Sequence, residues 1–283
     1  MAGFNGLRVL SFESRRAKEI AQLIANNGGR PMVAPSTREI ATPNEDEQKL
    51  IQGILNGDFD VIIFMTGVGA RALIEAAEPF ASREKFLSSL RNLQVIVRGP
   101  KPAAVMREFN IPVALTVPEP NTWREIVAVL DKNPEIVPLE NRRVAIQEHG
   151  EPSPELYGAL RERGADIFAV RIYRWELPEN LAPLQNAVRS LINNAIDVVL
   201  FTSSVQYVHA AKVAAEMGVE QQFKSALNGS LVASIGPVAS EALRKNGIRV
   251  DVEPSHPKMG FLVKETAEQS AELIRKKLGN QRV

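Results

Sequence analysis

The sequence predicts an α/β protein made of two similar open parallel-sheet domains, each a three-layer α/β/α arrangement that derives from an internal repeat. Three observations predict this class: segments that return at a fixed offset, short strands that are apolar on both faces, and helical segments between them. Parallel strands read as continuous apolar runs because helices cover both faces of their sheet.

The repeat has an offset of 137 residues. Asp60-Val-Ile-Ile-Phe64 returns as Asp197-Val-Val-Leu-Phe201, and the offset holds without a gap over about sixty positions. A weaker match near an offset of 135 joins Arg8-Val-Leu-Ser-Phe12 with Arg143-Val-Ala-Ile-Gln147. The two copies therefore span roughly residues 7–133 and 143–283.

Each copy predicts five strands that alternate with five helices. The predicted strands of the first copy are 9–12, 32–35, 61–65, 95–97 and 113–117. An apolar stripe predicts a helix over 17–26, which ends at Gly28-Gly29, and the helix 238–245 ends likewise at Gly247.

Two polar segments, 35–43 and 174–178, follow the second strand of their copies. Their equivalent positions suggest that the chain crosses between domains at both points. The repeat alone is compatible with either a simple or an exchanged arrangement of the two copies.

The composition excludes several classes of functional site. A chain of 283 residues can bury two cores, and the absence of cysteine excludes disulfides, thiolate zinc sites and a cysteine nucleophile. His149, His209 and His256 lie far apart in sequence, which argues against a metal site. A net charge of +1 argues against a strongly basic nucleic-acid binder, so any anion site must be local. The absence of a signal peptide and of a long apolar run predicts a cytoplasmic protein outside the membrane.

Candidate binding residues lie in the loops after the strands, because ligands of open α/β sheets bind at the carboxyl ends of strands. Thr66-Gly67-Val68-Gly69 follows one strand, and Thr202-Ser203-Ser204 follows its repeat partner. These residues are either helix N-caps or a cradle for carboxylate or phosphate groups. The pattern Gly67-x-Gly69-x-x-Ala72 also resembles a dinucleotide fingerprint, but no acidic residue follows the next strand to bind a ribose.

The next pair of loops is Arg98-Gly99-Pro100-Lys101 and Ile235-Gly236-Pro237-Val238. Their glycines allow a ligand close to the backbone, and two cations add positive charge in the first copy; a tight turn with solvated cations is the alternative. The last pair, 118–122 and 254–260, is long and proline-stiffened, and His256 in it is a proton donor or a surface residue.

Three further residues carry possible chemistry. Tyr173 ends a strand at the second crossing, where its phenol reaches a cleft or packs across the hinge. Glu13 and Glu148 occupy matching loops, which permits an acid–base pair, although matching positions in a repeat have a simpler structural explanation.

The sequence lacks three known catalytic motifs: the nucleophile elbow, the phosphate-binding loop and the zinc-binding helix.

These features together resemble the uroporphyrinogen-III synthase family over nearly the whole chain. The resemblance rests on Val199-Leu-Phe-Thr-Ser-Ser-Val205, on Val232-Ala-Ser-Ile-Gly-Pro-Val-Ala-Ser-Glu-Ala-Leu243, on residues 247–254 and on Pro257-x-Met259-Gly260. The segment Arg171-Ile-Tyr-Arg174 is similar to the family's tyrosine-bearing crossing strand.

The resemblance implies two α/β domains joined by a two-stranded linker, with the active site in the cleft between them. It also implies that the opening β-α-β segment belongs with the C-terminal half. The expected domains are therefore residues 1–37 with 176–283, and residues 38–175.

The resemblance further implies an enzyme of haem biosynthesis, a monomer without cofactor or nucleic-acid partner. It would cyclise hydroxymethylbilane, a linear tetrapyrrole with eight carboxylates, to uroporphyrinogen III with inversion of ring D and loss of water. Tyr173 is the expected proton or hydrogen-bond donor to the departing hydroxyl. The expected substrate-binding residues are Thr66, Gly67, Arg98, Gly99, Lys101, Thr202, Ser203, Ser204, Gly236, Pro237, Lys258, Met259 and Gly260.

The chain departs from the family at two positions. Threonine often follows each Gly-Pro glycine by three residues in the family, but Pro102 and Ala239 stand there in this chain. This departure keeps an alternative open, a non-catalytic sensor of the same fold that binds a tetrapyrrole or another metabolite.

Overall fold

A computed structural model of the chain describes residues 3–41, 44–148 and 152–280. The described residues form eleven strands and twelve helices, numbered in chain order. The strands are β1 (Arg8–Ser11), β2 (Arg30–Val33), β3 (Arg38–Ala41), β4 (Val61–Phe64), β5 (Gln94–Val97), β6 (Leu115–Thr116), β7 (Arg143–Gln147), β8 (Asp166–Val170), β9 (Tyr173–Glu176), β10 (Val198–Phe201) and β11 (Leu231–Ser234). The helices are α1 (Ala17–Asn26), α2 (Glu45–Asn56), α3 (Gly67–Ala76), α4 (Arg83–Arg91), α5 (Pro100–Glu108), α6 (Trp123–Lys132), α7 (Pro154–Arg161), α8 (Ala182–Ile192), α9 (Ser204–Glu216), α10 (Glu220–Gly229), α11 (Pro237–Lys245) and α12 (Met259–Asn280).

The chain divides into two compact units. Unit 1 comprises Met1–Arg38 and Trp175–Val283, and unit 2 comprises Glu39–Arg174. Both chain crossings fall within β3 and β9, which pair with each other in a two-stranded sheet.

Each unit contains one parallel sheet, which confirms the predicted α/β class. The strand order is β6-β5-β4-β7-β8 in unit 2 and β11-β10-β1-β2 in unit 1. Each sheet therefore combines strands from both sequence copies, which is the exchanged arrangement. Numbered within its own unit, the sheet of unit 2 has the doubly wound order 3-2-1-4-5, and the sheet of unit 1 has the order 2-1-3-4 of flavodoxin-like sheets. Each has one topological switch point, where neighbouring connections diverge.

Alternate residues of the central strands enter two separate cores. Ile62 and Phe64 of β4 pack in one apolar cluster of unit 2, and Val61 and Ile63 pack in the cluster on the opposite face. In unit 1, the side chains of β10 alternate in the same way between two apolar clusters on opposite faces of the sheet. Burial of each such side chain stabilises the fold by about 1.5–3 kcal/mol, so each sheet is held between two helical layers.

An aspartate at the start of each central strand joins it to the neighbouring strand from the other copy. In unit 2, Asp60 Oδ2 accepts a hydrogen bond from the backbone N–H of Arg143 at 2.9 Å. In unit 1, Asp197 Oδ2 accepts one from the backbone N–H of Arg8 at 2.7 Å, and Asp197 also pairs with the Arg8 guanidinium. The same interaction therefore sets the register of β4 beside β7 and of β10 beside β1.

Two details differ from the predicted pattern of elements. Two helices, not one, connect β4 to β5 and β10 to β11, because Pro79 follows the end of α3 and Gly218, with a φ of +73°, follows the end of α9. The fifth strand of the second copy is reduced to a single bridge between Ala233 and Val252 within the described residues. Beside this bridge, the Asp251 carboxylate accepts a hydrogen bond from the Val232 N–H of β11 at 2.9 Å.

None of the described helices is long and apolar enough to cross a membrane. His149 lies outside the described residues.

The hydrogen bonds that Asp60 and Asp197 accept from the neighbouring strands predict a specific loss of stability in acid. The Arg143 N–H lowers the pKa of Asp60, and the Arg8 side chain lowers the pKa of Asp197. A carboxylate with a lowered folded-state pKa stabilises the fold above its unfolded pKa of about 3.9, and this contribution disappears as the pH falls through the folded value. Urea unfolding between about pH 3 and pH 7 should therefore show a weaker acid dependence in Asp60→Asn/Asp197→Asn than in the wild type.

The control is Asp46→Asn, which changes an exposed carboxylate of α2. It should retain the wild-type pH dependence. If the free energy of unfolding falls equally with pH in the double variant and the wild type, the hydrogen bonds of Asp60 and Asp197 contribute nothing to stability.

Candidate functional site

The predicted site residues lie at or beside the carboxyl edges of the two sheets. Unit 2 holds Thr66, Gly67, Arg98, Gly99, Lys101 and Tyr173, and unit 1 holds Thr202, Ser203, Ser204, Gly236, Pro237, Lys258, Met259 and Gly260. The switch points lie between β4 and β7 in unit 2 and between β10 and β1 in unit 1. Helices α3, α5, α9 and α11 begin directly after strands at these edges, so their N-terminal amides face the regions where ligands of such folds bind.

Thr66 is the centre of a hydrogen-bonded cluster in unit 2. Its Oγ1 caps α3 by accepting from the Gly69 N–H at 3.0 Å, and its own N–H donates to Gln147 Oε1 at 3.2 Å. The Tyr173 hydroxyl donates to Thr66 Oγ1 at 3.3 Å. Gln147 is fully buried and Tyr173 is 3% exposed, so the cluster holds the phenol in one position.

The two glycines after Thr66 are explained by close packing, and not by a nucleotide. A Cβ at Gly69 would lie 1.9 Å from Gln147 Nε2, and a Cβ at Gly67 would lie 2.8 Å from the carbonyl oxygen of Lys101. Any larger residue would displace the Gln147 side chain or the start of α5. The fingerprint-like spacing therefore serves the cluster around Thr66.

Arg98 brings a localised positive charge to this edge. Its Nε donates to the Met65 carbonyl at 3.1 Å, one residue before Thr66. Burial lowers the pKa of Arg98 to about 10, an effect that the Tyr173 phenol partly offsets, so the guanidinium stays charged at neutral pH. No carboxylate among the described residues forms an ion pair with Arg98, although part of the residue remains exposed.

The neighbouring helix α5 offers few amides. Gly99, with a φ of +88°, is its N-cap, and no side chain caps the helix. Pro100 and Pro102 have no N–H, so Lys101 supplies the amide between them.

In unit 1, Thr202 is engaged within the protein. Its N–H donates to Gln206 Oε1 at 2.8 Å, its hydroxyl donates to Glu13, and the same hydroxyl accepts from Gln206 Nε2 at 2.7 Å. The Ser203 side chain, in the N-cap position, makes no capping hydrogen bond. The first-turn amides of α9, beginning with Ser204, therefore have no side-chain cap.

At the same edge of unit 1, the start of α11 lies above a buried network of hydroxyl groups. Gly236 is the N-cap of α11 without a side-chain cap, and the Ser234 and Ser240 hydroxyls beneath it lie 2.5 Å apart. Ser240 also donates to Glu253. This network holds the start of the 254–258 loop against α11.

The α12 residues divide into core and surface. Met259 is 5% exposed and packs in the core with Leu262, so only its backbone and that of Gly260 can face a ligand. Phe261 is 39% exposed and its ring packs against His256 at 4.6 Å between centroids. Val238 in the first turn of α11 is 50% exposed, and Val68 at the start of α3 is 40% exposed.

Gln147 and Gln206 are the site residues that sequence reasoning missed. Each glutamine orders the loop that follows a central strand, Gln147 through the Thr66 N–H and Gln206 through the Thr202 N–H. Gln206 was recognisable as a polar residue four positions after Thr202 on a helix, whereas Gln147 acts across neighbouring strands of different copies.

Comparison with known proteins relates this geometry to one family. Residues 18–264 match the family model described as uroporphyrinogen-III synthase HemD. A putative uroporphyrinogen-III synthase of Methanothermobacter thermautotrophicus is 26% identical over 233 residues, which are 82% of this chain and 87% of that protein. An uncharacterized Bacillus subtilis protein, YjjA, is 27% identical over 266 residues, 94% of this chain and 96% of its own length.

Solved structures agree in fold. A mutant uroporphyrinogen III synthase of Thermus thermophilus is 22% identical, with a TM-score of 0.66 and coverage of 97% of this chain and 100% of its own. The Helicobacter pylori enzyme is 16% identical, with a TM-score of 0.54 and coverage of 92% and 98%. The family match across most of the sequence confirms the resemblance: this chain belongs to the uroporphyrinogen-III synthase family.

Proposed function

We propose that this protein is a uroporphyrinogen-III synthase, which cyclises hydroxymethylbilane to uroporphyrinogen III with inversion of ring D and loss of water. The observation that carries the proposal is the family match over residues 18–264, which includes both carboxyl edges. We further propose that units 1 and 2 are its two domains, and that it works as a cytoplasmic monomer without a cofactor.

Backbone amides are the proposed ligands of the substrate carboxylates. Helices α9 and α11 lack side-chain caps, and an uncapped N-terminus favours an anion through its amides and dipole; α5 also lacks a cap but adds only the amide of Lys101 between its two prolines. Arg98 adds one charge-assisted donor in unit 2. With most carboxylates bound by backbone amides and one by Arg98, a chain whose net charge is only +1 could bind all eight carboxylates.

Apolar side chains beside these amides suit the pyrrole rings. Val68, Val238 and Phe261 are large hydrophobic residues that remain exposed at the starts of α3, α11 and α12. A tetrapyrrole presents apolar ring faces and a polar rim of carboxylates, so alternating apolar contacts and amides complement it.

Tyr173 is the proposed proton donor to the departing hydroxyl. Its phenol is held by Thr66, and the nearby Arg98 guanidinium stabilises negative charge that develops on the phenol oxygen as the proton leaves. Departure of hydroxide from a pyrrolylmethanol is intrinsically easy, so the larger task is positioning ring D for the inverted closure.

One observation favours the alternative, a non-catalytic tetrapyrrole sensor. Pro102 and Ala239, which stand at the family's threonine positions, are both buried and carry no hydroxyl. A sensor would bind the product without making it.

The isomer ratio of the product tests the proposal. Purified protein supplied with hydroxymethylbilane should yield uroporphyrinogen III in excess over the type I isomer, which forms without enzyme. Type I product alone at high protein concentration would contradict the synthase, and tight binding of uroporphyrin III without turnover would support the sensor.

Tyr173→Phe tests the proposed acid. Removal of the hydroxyl should lower kcat about tenfold to a hundredfold, with KM little changed, because the phenol acts on the leaving group and not on the carboxylates. Tyr157→Phe is the matched control, since its hydroxyl accepts the Ser153 N–H at 3.0 Å at the start of α7, away from the cluster around Thr66. An unchanged kcat in Tyr173→Phe would assign Tyr173 to packing.

A further inference from the structure

Two glutamates occupy matching positions of the repeat and have different environments. Glu148 follows β7, is 6% exposed, and lies 3.7 Å from Arg171 Nε through its carboxylate. Glu13 follows β1, is half-buried, and forms no ion pair with any of the residues that the structure describes. Glu148 therefore has a guanidinium partner, whereas Glu13 is held by hydrogen bonds.

The Glu13 carboxylate is held in a defined orientation at the switch point of unit 1. Its Oε2 accepts from the Thr202 hydroxyl and from Gln206 Nε2, the latter at 3.3 Å. Its Oε1 accepts from the Arg16 N–H at 3.1 Å. A carboxylate offers about four acceptor positions, so about one remains for a further donor.

A carboxylate is unexpected at an edge that otherwise presents hydrogen-bond donors. An unpaired negative charge repels the carboxylates of a polyanionic substrate and so weakens binding. Thr202 and Gln206 nevertheless both direct side-chain donors toward Glu13. Their arrangement fixes the carboxylate in one orientation at this edge, which indicates a chemical role for it.

We propose that Glu13 is the general base of the ring closure, an inference that rests on the proposed function. In the inversion, the substituted α-carbon of ring D bonds to the hydroxymethyl carbon as water leaves, and its bond to its former methylene carbon then breaks. Closure joins the unsubstituted α-carbon of ring D to this released methylene carbon and makes that α-carbon tetrahedral. The carbon–hydrogen bond then breaks, its electron pair restores the aromatic ring, and the proton passes to a Glu13 oxygen. Protons balance, because the leaving hydroxyl takes up one and departs as water while closure releases one.

Glu13→Gln tests this role, because glutamine keeps the shape and one acceptor but cannot take the proton. Its kcat should fall about a hundredfold with KM unchanged or lowered. Substrate with deuterium on the unsubstituted α-carbon of ring D should show a primary isotope effect on kcat in Glu13→Gln that is larger than in the wild type. Glu148→Gln, which changes the matching paired carboxylate, should keep the wild-type kcat and isotope effect.

Chemical rescue separates a base from a structural residue. Formate should restore part of the activity of Glu13→Ala, and it should not affect Glu148→Ala. Wild-type kcat in Glu13→Gln would overturn the proposal, as would a loss of rate with neither an isotope effect nor rescue. Absence of type III product from the wild-type protein would instead contradict the proposed function, and the base role with it.

Discussion

The parallel pairing of central strands from different sequence copies is the constraint on which the rest of the structure depends. β4 lies beside β7 and β10 beside β1, and in both cases an aspartate at the start of one strand binds the first N–H of its neighbour. This pairing brings loops more than eighty residues apart to one edge, as with Thr66 and Gln147. Without it, neither switch point would exist.

The carboxyl edges formed in this way offer a ligand more backbone amides than charged side chains. Parallel strands direct the N-termini of the following helices toward the same side, and three of these helices lack side-chain caps. Arg98 adds a partly buried positive charge at the edge of unit 2, and Glu13 adds a carboxylate at the edge of unit 1. Such a distribution suits a ligand with many carboxylates, whose capture by cations would demand a strongly basic protein.

Sequence reasoning predicted the parts of the fold that depend on local pattern. Helix α1 has the predicted bounds, and the apolar runs of β4 and β10 are buried on both faces because each run fills two cores. Contacts across copies could not be predicted in the same way. Thr202 was expected to face a ligand with its hydroxyl, but the pairing of β10 with β1 places Glu13 within reach of it. Gly67 and Gly69 likewise serve neighbours, Lys101 and Gln147, that the local motif does not specify.

The central claim, that uncapped helix amides bind a polycarboxylate, is tested most directly by amide-resolved NMR during a titration with uroporphyrin III. The amides of Ser204, Val205, Val238 and Ala239 should shift most, and the affinity should weaken only modestly as salt is raised, because fixed amides close to the ligand are screened less than exposed cations. Binding that leaves these amides unmoved and disappears steeply with salt would contradict the account.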